Sequence, residues 1–306
     1  PTPEPTPEPT PEPTPEPTPE PTPEPEQTAV QNYSIGTNYY ETLADAYAAC
    51  GTTCTIKVEQ DVTDSSSVNI ALRKRVTLNT NGNTITKTDL QIINSGTLNI
   101  TGGGTITSTL TYTVSSSYVF TMDSGMIIGS NYGIQNSGGN VNISGGMVNG
   151  IQSVGGAIMV SGTANVTATK IYTNGITINT SGEVNITGGT VSGYRGISAY
   201  NSTVSITGGT VSGTSEESIS NYNSTVTIGS LSSAVNNTSP VIIGNTYGYS
   251  GSGTLNIYNG IFKGRNSGIY DPLSTLNYRS GYKLRTGTDG DYRVAYLVSS
   301  ASVGGR

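Results

Sequence analysis

The sequence predicts an all-β protein, a parallel β-helix solenoid of about nine to ten turns, and three observations carry that reading. First, an apolar-x-apolar triplet begins at Val76, Leu98, Phe120, Val141, Ala164, Val184, Val204, Val226 and Leu255, at intervals of 22, 22, 21, 23, 20, 20, 22 and 29 residues. Units of this length, too polar to bury a face alone, gain a core only by stacking on their neighbours. Second, apolar and polar residues alternate within each triplet, which is the period-2 signature of a half-buried strand. Third, most triplets run into glycine, as in Val184-Asn-Ile-Thr-Gly-Gly-Thr-Val-Ser-Gly193 and Val204-Ser-Ile-Thr-Gly-Gly-Thr-Val-Ser-Gly213. The Gly-Gly pair supplies a corner too tight for a β-carbon.

Each unit holds at least three short strands. Seven residues after the start of a triplet comes a second inward candidate, at Ile127, Val148, Ile171, Val191, Val211 and Phe262. A further half-repeat, Gly133-Ile134, Gly175-Ile176 and Gly196-Ile197, precedes the triplets, and Ala157 and Ile219 hold nearly the same place in neighbouring units. Stacking then writes two inner ladders, one through the first residue of every triplet (Ala164 included) and one through the third (Val166 included). At ~4.8 Å per turn, nine turns make a column of roughly 40 Å.

Both ends of such a column need covers. Residues 42–50 read as a short amphipathic helix with Thr42 as N-cap and Leu43, Ala46, Tyr47 and Cys50 on one face, followed by a first strand at Thr55-Ile56-Lys57-Val58. At the other end Tyr282-Lys283-Leu284-Arg285 and Tyr292-Arg293-Val294-Ala295-Tyr296-Leu297 flank the turn signal Asp289-Gly290, so a hairpin should close the top. The expected organisation is a spacer at 1–29, an N-terminal cap and first turn at 30–75, β-helix repeats at 76–270, and a hairpin cap with tail at 271–306.

The spacer has proline at every odd position from Pro1 to Pro25, which is 13 of the chain's 15 prolines. Each proline fixes its own φ and biases the residue before it, so a disordered, extended polyproline II rod of roughly 80 Å is expected. It also carries seven of the 20 acidic residues, leaving 13 acidic against 14 basic residues and a net charge of +1 elsewhere. So neutral a body argues against nucleic acid as a partner, and no stretch is apolar enough for membrane insertion in this segment. The proline start and the spacer lead us to expect a monomeric module of a larger extracellular chain, with any signal peptide or anchor outside the segment.

The two cysteines, Cys50 and Cys54, lie four apart and fit either a small disulfide in an oxidising compartment or a reduced, buried pair at a helix end. With no histidine in the chain, neither a metal site nor any other cofactor is expected.

The run from Glu41 to Thr86, with its capping helix and Val76-Thr-Leu-Asn-Thr-Asn-Gly-Asn-Thr-Ile85, resembles the entry of right-handed parallel β-helix proteins of the pectate-lyase-like class. The Gly-Gly-Thr-Val-Ser-Gly units are similar to repeats of bacterial cell-surface and adhesin-type β-helices, and the Pro-Thr-Pro-Glu tract is similar to bacterial wall spacers. The resemblance covers roughly residues 38–298 and implies the fold; that fold hosts lyases, hydrolases and adhesins alike.

Catalytic members of that class imply clustered carboxylates, either as an acid paired with a base or as calcium ligands. Here Asp123 and Glu183 fall three turns apart, about 14 Å at the inter-strand spacing. Glu216 and Glu217 read as solvated corner residues, and Asp61 and Asp64 as loop or capping residues. No catalytic residue is therefore assigned, and the expected function is that of a non-catalytic surface protein, an adhesin or structural scaffold acting through the lateral face. The competing class is a carbohydrate-active β-helix protein, a lyase, a hydrolase or a glycan-binding remnant.

Two kinds of side chain populate that face. Asn99, Asn142, Asn165, Asn185 and Asn256 recur after the first apolar residue and should form an outward amide ladder. Among 19 tyrosines, Tyr132, Tyr194, Tyr200, Tyr222, Tyr247 and Tyr249 fall at corner or outward positions. Tyr200 and Tyr222 each stand four residues before a triplet and should stack one turn apart. With Arg195 beside Tyr194, the residues Tyr132, Tyr194, Arg195, Tyr200, Tyr222 and Tyr247 form the candidate ligand surface, suited to a glycan or to a host or neighbouring-cell surface protein. Threonine pairs such as Thr105 and Thr107, or Thr111 and Thr113, do not read as repeating in successive turns, which argues against an ice-binding array.

Overall fold

The computed structural model describes residues 1–4, 30–88, 91–154, 157–160, 164–167, 173–270 and 275–303. Most of the expected spacer (5–29), together with Lys170 and Ile171, lies outside the described residues.

Alternating sequence becomes stacked strands. Glu183–Ile186 pairs in parallel with Thr203–Ile206, placing Val184 opposite Val204 and Ile186 opposite Ile206. All four side chains are fully buried. In a second sheet Val191 lies opposite Val211, and in a third Ile197 lies opposite Ile219. Each turn thus adds one strand to each of three parallel sheets, which have 13, 12 and 10 strands once the end additions are included. The inward residues form one continuous apolar core, each contributing ~1.5–3 kcal/mol when fully buried. Among the described residues no helix is long and apolar enough to cross a membrane.

Glycine makes the corners possible. Gly189 and Gly209, the second of each Gly-Gly pair, have φ of +73° and +77°, and a Cβ on Gly209 would sit 2.5 Å from the Gly189 carbonyl oxygen. Between the third and first sheets a buried asparagine does the turning. Asn136 accepts from Gly139 N at 2.9 Å and donates to Gly139 O at 2.9 Å; Asn221 accepts from Ser224 N at 2.9 Å and donates to Tyr249 Oη at 2.7 Å. Asn94, Asn136 and Asn221 are all fully buried.

One turn departs from the expected register. Ile158 and Val160, not Ala164 and Val166, lie opposite Val141 and Ile143 below and Val184 and Ile186 above. Val166 belongs to the second sheet, opposite Val148 and Val191, in the place expected for Ile171. The half-repeat place assigned to Ala157 is held by Ile151, opposite Ile134 and Ile176, while Ala157 opens the first-sheet strand Ala157–Val160. The cause is Gly150, whose φ of +85° lets the chain pass from the second to the third sheet directly after Val148 and advances the whole coil. Asn165 consequently leaves the outward column of the first sheet, where Met159 lies between Asn142 and Asn185. The long interval after Val226 is an insertion docked by Asn259, which accepts from Asn236 N at 2.6 Å and donates to Ala234 O at 3.2 Å.

The ends are covered more fully than expected. Helix Leu43–Ala49 forms with Thr42 as N-cap, its hydroxyl accepting from Asp45 N at 3.1 Å, and it buries Leu43 and Ala46. Cys50 and Cys54 are disulfide-bonded, with Cα atoms 5.5 Å apart, tying the helix end to strand Thr53–Val58. An antiparallel hairpin missing from the sequence reading, Tyr33–Ile35 with Asn38–Tyr40, covers the lower edge of the first sheet. At the top, Tyr282–Asp289 and Tyr292–Ser299 pair as expected, and the second strand joins the upper edge of the second sheet antiparallel to Ile261–Gly264.

Beneath the helix, Asp64 is the hub of the N-terminal cap. One carboxylate oxygen accepts from Tyr33 Oη and Leu43 N, both at 2.8 Å; the other accepts from Ser66 N at 2.7 Å, Ser66 Oγ at 2.5 Å and Lys87 Nζ at 2.9 Å. The Lys87 and Asp64 side chains are 0% and 1% exposed. Burial pushes the Asp64 carboxyl up, but donors led by Ser66, then Leu43, Lys87 and Tyr33, outweigh it and bring it down to about 2. The same burial, with the Asp64 charge, pushes the Tyr33 phenol well above its ordinary value.

Candidate binding surface

Four of the six predicted surface residues form two contacts at opposite ends of the third-sheet strands, Tyr200 with Tyr222 and Tyr194 with Arg195. Tyr200 and Tyr222 follow the inward Ala199 and Asn221, so strand alternation turns them outward. Their rings stack one turn apart as expected, with centroids 4.6 Å apart and planes within 3°, and they are 36% and 43% exposed. The next residues, Asn201 and Asn223, take φ of +45° and +52°, a left-handed corner that asparagine tolerates. Asn223 donates to Asn201 Oδ1 at 2.7 Å, and Ser202 N donates to Ser224 Oγ at 3.0 Å, so the whole Tyr-Asn-Ser corner repeats as a stacked unit.

Tyr194 and Arg195 lie at the opposite corner of the same turn. The Arg195 guanidinium lies over the Tyr194 ring at 5.3 Å and donates through Nε to Glu217 Oε1 at 2.7 Å, while Tyr194 Oη donates to Glu216 Oε1 at 2.9 Å. This corrects the reading of Glu216 and Glu217 as solvated corner residues. Glu217 is buried, and as neighbours the two carboxylates reach different partners on the turn below. Burial lowers the Arg195 pKa, but the hydrogen bond and charge of Glu217, with smaller contributions from Tyr222 and Glu216, raise it overall. The one cation of the stripe is therefore already paired with a carboxylate of the turn above.

Tyr132 lies further down the sheet, and Tyr247 lies one turn above Glu217, its carbonyl accepting from Ser218 N at 3.0 Å. Tyr132 stacks on Tyr112, with centroids 6.1 Å apart and planes at 16°, and Tyr112 Oη donates to Gln152 Oε1. Burial first, then the charge of Tyr132, raises the Tyr112 phenol. Tyr247 stacks on Tyr270 at 4.7 Å and 20°. Sequence reasoning missed Tyr112 and Tyr270. Tyr112 was findable, since it precedes Val114 by two residues as Tyr132 precedes Ile134. Tyr249, expected at the surface, is fully buried: it lies opposite Ile219 and fills the core, and its hydroxyl accepts from Asn221.

The first sheet presents a hydroxyl and amide surface. Thr121 Oγ1 donates to Asn99 Oδ1 at 2.5 Å, Asn256 donates to Thr227 Oγ1 at 3.2 Å, and Asn277 donates to Asn256 Oδ1 at 2.9 Å. The outward ladder is therefore a mixed threonine–asparagine one rather than all asparagine. On the second sheet Thr84 and Thr86 lie opposite Thr105 and Thr107, so a threonine pair does repeat in successive turns there, before Met126 and Ile128 interrupt it. Thr113 is buried, its hydroxyl donating to Ile128 O at 2.6 Å. Among the described residues no three of His, Cys, Asp and Glu converge on a point that could hold a metal ion. Asp123 accepts from Ser124 Oγ at 2.7 Å, and Glu183 accepts from Asn185 Nδ2 at 2.6 Å. No protein-family model, curated protein sequence or solved structure matches this chain.

Proposed function

We propose that this protein is a non-catalytic extracellular surface module, an adhesin or scaffold, that makes contact through the lateral face of its β-helix. The observation that carries the reading is the exposed Tyr200–Tyr222 stack, flanked by the Asn201–Asn223 pair. Stacked aromatic rings beside hydrogen-bonding amides suit sugars and protein surfaces. Because the two rings cover each other's inner faces, a ligand meets their hydroxyl edges and outer faces. The internally neutralised Arg195 supports an uncharged partner, since no net field is left to steer an anion. The resemblance to bacterial surface β-helices and the wall-spacer-like Pro-Thr-Pro-Glu tract support display at a cell surface or cell wall.

An array of glycans and extracellular-matrix proteins, probed with the full chain, tests the reading. Binding that falls sharply in the Tyr200→Ala, Tyr222→Ala double variant is expected; binding unchanged in that variant removes the stack from the site. Turnover of a polysaccharide by the purified chain would remove the non-catalytic reading altogether.

A further inference from the structure

A concave depression of about 400 Å³ opens on the outer face of the first sheet, away from the tyrosines. Two columns line it. Thr77, Asn99 and Thr121 occupy the outward position between the two inward residues of three successive strands, in direct register. Thr101, Asp123 and Ser144 follow the second inward residue. Backbone bonds from Asp123 N to Ile100 O at 3.3 Å and from Ser144 N to Met122 O at 2.9 Å pin the second column turn upon turn.

We propose that this trough binds an uncharged, hydroxyl-rich sugar chain running along the helix axis. Beside Ile100 and Met122, the lining carries hydroxyls, one amide and one carboxylate, the groups that match sugar hydroxyls as both donors and acceptors. Asn99 is held in place for this, accepting from Thr121 Oγ1 and donating to Thr77 Oγ1 at 3.4 Å. Asp123 is exposed, and among the described residues no lysine or arginine lies within ion-pair distance of it. An ionised carboxylate has acceptor sites beyond the one that Ser124 fills, enough to take two neighbouring hydroxyls of one sugar. The same charge, with no cation lining the trough, disfavours phosphate, sulfate or uronate ligands. Spacing points to a polymer: successive rungs present polar side chains every ~4.8 Å, close to the advance of one sugar unit in an extended chain. The proposal rests on the lateral-face reading but puts the sugar on a different sheet from Tyr200 and Tyr222.

Calorimetric titration of the full chain with soluble oligosaccharides of glucose, xylose and mannose, and with oligogalacturonate as an anionic control, tests it. At least one neutral series should bind, and Asp123→Asn and Thr121→Val should each weaken binding by about tenfold or more. Both changes keep side-chain shape and leave the backbone bonds of Ile100 and Met122 intact. The Tyr200→Ala, Tyr222→Ala double variant is titrated alongside, and Thr107→Val, on the second sheet, should bind these sugars as the wild type does. Preference for oligogalacturonate, no binding of any neutral series, or neutral binding indifferent to both trough variants would overturn the proposal. Loss confined to the tyrosine variant would overturn the trough while upholding the lateral-face reading.

Discussion

Replacing Asp64 with asparagine probes the N-terminal cap where its electrostatics are most concentrated. The carboxylate meets Tyr33, the helix N-terminus at Leu43, both donors of Ser66, and Lys87, and the ion pair is sealed from water. Asparagine keeps the shape but leaves Lys87 as an unpaired buried charge and turns an N–H toward existing donors. Removing one partner of such a pair costs about 3–5 kcal/mol. A pKa held at about 2 against an ordinary value of 3.8 corresponds to about 2 kcal/mol in favour of the charged form. The folded-state pKa is depressed, so this contribution is complete above the unfolded value and disappears as pH falls toward about 2. Urea unfolding followed by far-ultraviolet circular dichroism should therefore show Asp64→Asn destabilised by at least about 3 kcal/mol at neutral pH, with the gap narrowing in acid. Amide exchange should rise first in the helix and in Thr53–Val58, because repeat folds couple only to nearest neighbours. Asp64→Asn combined with Lys87→Met should recover part of the loss. A single-variant cost under about 1 kcal/mol would refute the reasoning.

Other perturbations test the coil itself. Ile206→Ala removes a fully buried ladder residue and should cost about 2–5 kcal/mol in the same assay. Gly209→Ala forces a β-carbon against the Gly189 carbonyl at positive φ and should cost at least about 1–2 kcal/mol; a neutral result would mean the corner is looser than described. Cys50→Ser opens a small loop and should lower stability by about 2 kcal/mol, an effect that reduction of the wild type should reproduce. Asn136→Ala strips the Gly139 corner of both its side-chain bonds and should cost about 1–3 kcal/mol.

The legible part of the fold was the part written in period 2. Val184 and Val204, with Ile186 and Ile206, announced their register because a slip of one residue would have turned them to solvent. The misread turn had two competing triplets, Ile158-Met159-Val160 and Ala164-Asn165-Val166, and the deciding corner at Gly150 depends on a backbone angle that composition does not reveal. Tyr249 was misplaced for a related reason: tyrosine suits a surface corner and a hydrogen-bonded interior equally, and the Asn221 amide awaiting its hydroxyl comes from a strand 28 residues away. At the surface, the Tyr200–Tyr222 stack followed directly from coil length. The Arg195–Glu217 pair has the same 22-residue offset and was as legible from coil length, but the sequence reading placed both glutamates in solvent.

Cross-linking tests the stacking of successive coils most directly. Asn185 and Ser205 point outward from neighbouring strands and lie opposite each other in register. Cysteines there, Asn185→Cys with Ser205→Cys, fall within disulfide reach at the ~4.8 Å strand spacing. Mild oxidation, read by peptide mapping, should join them readily. The Asn185→Cys, Thr227→Cys pair, one coil further on, should stay reduced. A 185–205 pair that fails to close, or a 185–227 pair that closes equally fast, would contradict the stacked-coil account.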